Sequence, residues 1–213
     1  MSYLYPIYLN LADKSCIVIG GGNIAERKIK SLLECKALVT VISPESTDTI
    51  DEMADEGLIT LHRRKYAPFD LTGAFLVISA TNNEEVNKQV ANECFENGIL
   101  VNVVDVPPLC NFFVPSIIRR GDFSISISTG GKSPLLASKL RKELEGQYGD
   151  EYEKFLNIMG HVRQLVLNNC DDPAKRKKIF QQLVESDILE LLKEGKEVLA
   201  KERVEECLLS LWD

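Results

Sequence analysis

The sequence of 213 residues lacks several features that would place it in a common class. No stretch approaches the roughly 18 apolar residues that a membrane-spanning helix needs. Residues 1–11 are too short and too polar for a signal peptide. There are only two histidines, and the six cysteines form no C-x-x-C pair, so no metal site is expected. This cysteine pattern favours reduced thiols and a cytoplasmic location.

An excess of positive charge is also lacking, because the formal net charge is −7. This balance argues against a protein that binds nucleic acid generally, and no membrane partner is expected. The length suits one medium-sized domain followed by a smaller module.

The most informative pattern present is a strand, a glycine turn and a helix. Cys16–Ile19 is wholly apolar, as in a strand buried on both faces. Gly20 permits a tight turn, Gly22 lets a phosphate approach the backbone, and Ala25 lets the following helix pack closely. This order predicts binding of a dinucleotide cofactor at the start of the helix. The alternative is an ordinary tight turn between a strand and a helix.

Hydrophobic periodicity predicts alternating strands and helices up to residue 113. The predicted strands are 15–19, 38–42, 58–62, 75–79 and 99–104. The predicted helices are 23–35, 46–56 and 83–97. This alternation indicates an α/β fold of the Rossmann type, with a parallel sheet in a domain of residues 1–113.

The pattern changes after that domain. Residues 112–118 and 123–128 flank the sequence Arg-Arg-Gly-Asp and are predicted to form a β-hairpin. Hairpin edges are commonly covered by a partner, so residues 114–148 are predicted to be a dimerisation segment of a homodimer. Residues 149–213 are predicted to form a C-terminal helical domain.

Two further segments follow predicted strands of the parallel sheet, where ligands of such sheets bind. Pro44 and Glu45 come after the second strand, where an acid commonly binds the adenosine ribose. No arginine adjoins them in sequence to take a 2′-phosphate, which favours NAD as the cofactor. The alternative is a loop that leads into a helix. Thr81 follows the fourth strand and either lines the nicotinamide side or caps the next helix.

Asp105 is the candidate catalytic residue. It follows the fifth predicted strand, and Pro107 and Pro108 stiffen the loop behind it. A carboxylate held over the cofactor can act as an acid or a base. The alternative is an aspartate that closes its own loop by hydrogen bonds to nearby amides.

A basic segment extends from residue 114 to residue 142. Its charged residues are Arg119, Arg120, Lys132, Lys139, Arg141, Lys142 and the single acid Asp122. This local balance of +5 predicts docking of a polyanionic substrate through Arg119, Arg120, Lys132 and Ser133, the last at a predicted helix N-terminus. The alternative is a set of scattered surface charges.

Together the motifs resemble one family. They are Pro-Ile-Tyr-Leu at 6–9, Val-Ile-Gly-Gly-Gly-Asn-Ile-Ala-Glu-Arg-Lys at 18–28, Ala-Thr-Asn at 80–82, Asn-Val-Val-Asp at 102–105, Phe-Val-Pro-Ser-Ile-Ile at 113–118 and Ser-Thr-Gly-Gly-Lys-Ser-Pro at 128–134. In this order they resemble precorrin-2 dehydrogenase, the module found at the front of siroheme synthase. The resemblance implies NAD-dependent oxidation of precorrin-2 to sirohydrochlorin, in siroheme biosynthesis. For some members it also implies insertion of ferrous iron into sirohydrochlorin.

The resemblance also implies roles for particular residues. Asp105 matches the family's essential aspartate, and Gly20, Gly22, Asn23 and Ile24 match its pyrophosphate turn. Pro44 and Glu45 match the loop on the adenosine side. The family forms dimers through its middle segment. Because this chain ends at residue 213 and shows no methyltransferase module, we expect methylation upstream to come from a separate protein.

Two rival functions fit part of the pattern. A non-catalytic NAD-sensing regulatory module would explain the glycine turn and a dimer, but it would need neither Asp105 nor the basic segment. A dehydrogenase of small acids would require a histidine–carboxylate pair, and none is evident around His62 or His161.

Overall fold

Five parallel strands form the sheet of the first unit in the computed structural model, which describes residues 4–209. They are β1 (Ser15–Ile19), β2 (Leu38–Ile42), β3 (Ile59–His62), β4 (Leu76–Ser79) and β5 (Leu100–Val103). Their order in the sheet is β3-β2-β1-β4-β5, and every pairing is parallel. This arrangement confirms the predicted Rossmann-type fold.

Three helices cover the two faces of this sheet. They are α1 (Asn23–Glu34), α2 (Asp48–Asp55) and α3 (Glu84–Asn97). Because side chains alternate along β1, Cys16 and Val18 pack with α1 and α2, whereas Ile17 and Ile19 pack with α3. Helix α3 ends at Gly98, whose φ of 67° lies in the left-handed region that favours glycine.

A second unit begins at Pro115 and contains the predicted hairpin. Its strands are β6 (Ser116–Arg120) and β7 (Phe123–Ile127), which pair antiparallel around a turn at Gly121 and Asp122. The prediction was wrong about the first arm, which starts at residue 116 and not at 112. Pro115 has no N–H to donate to a ladder, and residues 110–112 already bond to β5.

Five helices complete the second unit. They are α4 (Pro134–Glu145), α5 (Glu151–Asn169), α6 (Pro173–Glu185), α7 (Ile188–Lys193) and α8 (Glu197–Leu208). Ser133 caps α4 as predicted, since its hydroxyl accepts the N–H of Leu136 at 3.3 Å. Helices α5 to α8 share one apolar core. The predicted helical domain extends to residue 213, and residues 210–213 lie outside the described residues.

The unit boundary after Val114 lies one residue from the predicted end of the first domain. The further division of the second unit into 114–148 and 149–213 stays a prediction. Within residues 4–209, no helix combines the length and the apolar character needed to cross a bilayer.

A buried polar pair joins α3 to the end of β4. The hydroxyl of Ser79 donates to Oδ1 of Asn87 at 2.7 Å, and Nδ2 of Asn87 donates to the carbonyl of Thr81 at 3.0 Å. Ser79 and Asn87 are both buried. Asn87 therefore fixes the backbone that follows β4.

We expect Asn87→Ala to lower the free energy of unfolding by about 1–3 kcal/mol, because it leaves Ser79 and the Thr81 carbonyl without their partner. Urea denaturation followed by circular dichroism measures the change. Gln89→Ala, on the exposed face of the same helix, is the control and should stay within about 0.5 kcal/mol. Equal effects of the two substitutions would contradict this account of Asn87.

Candidate functional site

The glycine turn after β1 lies against two neighbouring backbone segments. A Cβ atom at Gly20 would lie 2.4 Å from the carbonyl oxygen of Ala80, and Gly20 has a φ of 112°. A Cβ atom at Gly21 would lie 2.1 Å from the carbonyl oxygen of Glu45. Only glycine allows these approaches, so the turn, the loop after β2 and the segment after β4 meet at one corner of the sheet.

Gly22 differs from both of these glycines, because a Cβ atom there would have no atom within 4 Å. It precedes α1, whose first turn has no side-chain cap. Asn23 and Ile24 are exposed beside it, the latter 38% exposed although apolar. Uncapped N–H groups next to open space fit a dinucleotide pyrophosphate, which Gly22, Asn23 and Ile24 would hold.

The loop after β2 is attached to this turn. The N–H of Thr47 donates to the carbonyl of Gly21 at 3.0 Å, and the hydroxyl of Ser43 donates to the carbonyl of Glu45 at 2.6 Å. The side chains of Pro44 and Glu45 are exposed. Both residues therefore lie next to the turn with their side chains free to meet a nucleotide.

One residue near this loop comes from a distant part of the sequence. The sequence shows no arginine adjoining Glu45, yet the structure brings Arg63 to the same loop from the end of β3, the strand beside β2. Its Nη1 donates to the hydroxyl of Ser46 at 3.1 Å, and its Nη2 lies 3.0 Å from Oδ1 of Asp51. Hydrogen bonds from Ser46 and Arg63 lower the pKa of Asp51. The guanidinium charge is thus already paired.

Thr81 lies on the other side of the turn. Its Oγ1 accepts the N–H of Asn83 at 3.2 Å, and Asn83 itself caps α3 by accepting the N–H of Val86 at 3.1 Å. The structure therefore gives Thr81 a role at the helix start, while its backbone follows directly on Ala80 at the turn.

Asp105 lies at the same edge of the sheet, in the turn that follows β5. The strand ends at Val103, two residues before Asp105, and not at residue 104 as predicted. Asp105 is exposed and has a left-handed φ of 60°. In the described part of the chain its carboxylate makes no hydrogen bond, so Asp105 does not close its own loop.

The charged residue associated with Asp105 is Lys28 of α1. Burial lowers the pKa of Lys28, Arg27 acts in the same direction, and the negative charge of Asp105 opposes them. Lys28 lies about one helical turn after Ala25 on α1. Val104, the residue before Asp105, packs against the same apolar cluster that buries Ala25. A half-buried ammonium group therefore neighbours the candidate catalytic carboxylate.

The basic segment lies in the second unit and is partly neutralised there. Lys139 pairs with Glu143 at 3.7 Å, and Arg141 pairs with Glu145. Arg120 is half-buried, with its Nε 3.3 Å from Oδ1 of Asp150. The remaining candidates are Arg119, Lys132 and Ser133. Lys132 is exposed and makes no ion pair to any residue between 4 and 209, and it adjoins the N-cap residue of α4.

Neither histidine belongs to a catalytic cluster. His62 ends β3, and Nδ1 of His161 lies 3.0 Å from the carbonyl of Asn157 on α5. Within the described range, no three His, Cys, Asp or Glu side chains come together as a metal site.

Three residues that shape this edge were not predicted from the sequence. The glycine pattern gives no role to Gly21, which lies between Gly20 and Gly22, although Gly21 contacts Glu45. Cys110 and Asn111 bond to β5 beside Asp105. The run of three glycines was a usable signal for Gly21, whereas Cys110 and Asn111 follow the proline pair and look like ordinary loop residues.

Comparisons with known proteins agree with this geometry. Residues 7–116 match a family described as "Putative NAD(P)-binding", and residues 120–147 match the sirohaem biosynthesis protein central domain. The siroheme synthase of Methylococcus capsulatus is 38% identical over 92% of this chain and 41% of its own length. That of Pseudoalteromonas atlantica is 33% identical over 96% of this chain and 44% of its own length. The chain thus spans less than half of these relatives.

A solved structure described as SirC, precorrin-2 dehydrogenase, is also similar. It has a TM-score of 0.81 and 28% identity, over 96% of this chain and 98% of that chain. The two matched models together describe a protein with an NAD(P)-binding domain followed by a sirohaem central domain. The chain belongs to the family that these two models describe. This membership confirms NAD as the predicted cofactor.

We expect Gly22→Ala to raise the Kd for NAD about tenfold or more, because the methyl group occupies the space left for the pyrophosphate. Its free energy of unfolding should change by less than about 1 kcal/mol. Gly20→Ala should instead destabilise the fold by about 1–3 kcal/mol, since it strains φ and overlaps Ala80. Calorimetric titration and thermal melts measure both. Unchanged NAD affinity in the Gly22 variant would place the pyrophosphate elsewhere.

Proposed function

We propose that this chain catalyses the NAD-dependent oxidation of precorrin-2 to sirohydrochlorin, a step of siroheme biosynthesis. The observation that carries the proposal is the likeness to a precorrin-2 dehydrogenase along 98% of that protein. The turn that fits a pyrophosphate and the unbonded carboxylate of Asp105 at the same edge of the sheet support it.

In this proposal the substrate loses a hydride and a proton. Bound NAD⁺ supplies the hydride acceptor. Asp105 accepts the proton, because its carboxylate is exposed and is not occupied by any hydrogen bond within residues 4–209. The glycine turn would hold the pyrophosphate of the cofactor, so positioning contributes to the rate.

Precorrin-2 carries several carboxylates, which require cations or N–H groups to bind them. Lys132 and Ser133 are the strongest candidates in the basic segment, because they combine an ammonium group with a helix N-terminus. Arg119 and Arg120 are the further candidates, although both already have partners, which for Arg120 include Asp150. Iron insertion into sirohydrochlorin stays a prediction from the resemblance alone.

The cytoplasm is the proposed location. All six cysteines are described and are free of disulfides. Such a set is typical of a reducing compartment.

The activity test is an absorption assay of precorrin-2 oxidation with NAD⁺. We expect Asp105→Ala to lower kcat by about 10²- to 10⁴-fold, the range for loss of a proton-transfer group. The Kd for NAD should stay the same, because the glycine turn is intact. Asp13→Ala is a matched control, since Asp13 is likewise an exposed aspartate with a left-handed φ, of 59°.

The outcomes separate the rival functions. NAD binding without any oxidation of precorrin-2 by the unaltered protein would favour a non-catalytic NAD-sensing module. Full activity of the Asp105→Ala variant would remove Asp105 as the proton acceptor while leaving the dehydrogenase assignment intact.

The homodimer is part of this proposal, with residues 114–148 as the pairing segment. Among residues 4–209 the hairpin is a sheet of two strands, and small sheets of this kind are commonly extended or covered by a partner. Ile118 is buried, but Ile125 and Ile127 of β7 are only partly buried in the single chain. A second copy would cover these apolar side chains.

Light scattering should therefore give about twice the chain mass of 23.9 kDa at micromolar concentration. Ile127→Glu should shift the protein to the single-chain mass, because burying an unpaired carboxylate in the interface is costly. Val198→Glu on α8, where the side chain is 70% exposed, is the control and should leave the dimer unchanged. A monomeric unaltered protein would contradict this pairing.

A further inference from the structure

The outer edge of β5 is bonded mainly by side chains. Within residues 4–209, the only strand that pairs with β5 is β4, on one side. On the other side of β5, the backbone N–H and C=O groups of Ile99, Val101 and Val103 point away from β4. Such groups must find partners when they are shielded from water. The partners come from residues 110–112, which follow the Asp105 loop.

Asn111 takes the place of a paired strand residue. Its Oδ1 accepts the N–H of Val101 at 2.7 Å, and its Nδ2 donates to the carbonyl of Ile99 at 2.8 Å. Its own N–H donates to the carbonyl of Val101 at 3.1 Å. One residue therefore makes three hydrogen bonds to the edge of β5.

Cys110 bonds to the next position along the same edge. Its Sγ accepts the N–H of Val103 at 3.2 Å and lies within donating distance of the carbonyls of Val103, at 3.2 Å, and Val106, at 3.4 Å. Burial raises the pKa of the Cys110 thiol, which keeps the thiol protonated and able to donate. Nδ2 of Asn102 also donates to the carbonyl of Phe112 at 3.1 Å. We call Cys110 and Asn111 the β5 clasp.

The clasp closes the loop that carries Asp105. Val103 and Cys110 form the base of this loop, and Asp105 lies between them with a left-handed φ of 60°. A left-handed backbone is unfavourable for a residue other than glycine and persists only where the surroundings impose it. Since the Asp105 carboxylate makes no hydrogen bond in the described part of the chain, its own side chain does not impose it.

We propose that Cys110 and Asn111 are positioning residues, which hold the Asp105 loop on β5 so that the carboxylate stays directed at the substrate. This inference rests on the proposed function of Asp105. In this proposal the clasp acts on Asp105 through the backbone, since Cys110 and Asn111 bond to main-chain groups of residues 99–106.

The test uses the full-length protein in the precorrin-2 oxidation assay. Cys110→Ala and Asn111→Ala should each lower kcat by about ten- to a hundredfold, because small displacements of a reacting group are costly. The Kd for NAD should not change, since the glycine turn lies on β1.

A double-mutant cycle shows whether the clasp acts through Asp105. In an Asp105→Ala background, Cys110→Ala should have no further effect on kcat, because there is no carboxylate left to position. Equal losses with and without Asp105 would overturn the inference. Cys207→Ala, which removes a partly buried thiol on α8, is the matched control and should keep full activity.

Cys110→Ser serves as a second variant if the alanine variants fail to fold. Its hydroxyl keeps the donor and acceptor, so activity should lie between those of the unaltered protein and Cys110→Ala. Full activity of folded clasp variants, with Asp105→Ala impaired, would overturn this inference alone. Full activity of Asp105→Ala would overturn the assignment of Asp105 first.

Discussion

The close approach of three backbone segments at the end of β1 is the constraint on which the rest of this site depends. Gly20 and Gly21 let the carbonyls of Ala80 and Glu45 come nearer than any Cβ atom would permit. Because β1 lies at the centre of a parallel sheet, this contact fixes the loops after β2 and β4 relative to each other. Gly22 then remains as the one open position of the turn, where a phosphate fits.

The same contact explains why the two faces of the sheet can be packed so fully. Ala25 follows the turn by one helical turn and is completely buried against β1, which a larger side chain would prevent. On the other face, Asn87 bonds both Ser79 and the backbone of Thr81. The helices therefore hold the loops at the edge, and the loops leave room for a ligand there.

Most of the parallel sheet could be predicted from the sequence, because its signals are local. The apolar run of β1, the cap at Asn83 and the glycine that ends α3 each lie within one element. The first arm of the hairpin was misplaced because residues 110–112 bond to a strand that the local pattern could not connect with them. The predicted boundaries of helices differed by one or two residues for the ordinary reason that helix ends carry weak signals.

The residues of the candidate site could likewise be predicted only where the signal lies within one element or directly after it. The glycine turn and Asp105 follow strands, and parallel strands place such positions at one edge. Arg63 was not predicted to lie beside the loop after β2. Its position depends on the pairing of β3 with β2, which no local sequence pattern indicates. The clasp was missed because hydrogen bonds from side chains to an edge strand leave no periodic trace in the sequence.

The basic segment shows how a charge count along the chain overstates the field around a helix. The window that gave +5 ends at residue 142, and the acids that pair with Lys139 and Arg141 come directly after it. These pairs follow from the spacing of four residues along α4. Lys132 lies ahead of the helix and keeps its charge, next to N–H groups of the first turn. At physiological salt, exposed charges are screened beyond about 8 Å. A substrate carboxylate is therefore attracted more by the nearby Lys132 ammonium group and the N–H groups of the α4 N-terminus than by the net charge of the whole segment.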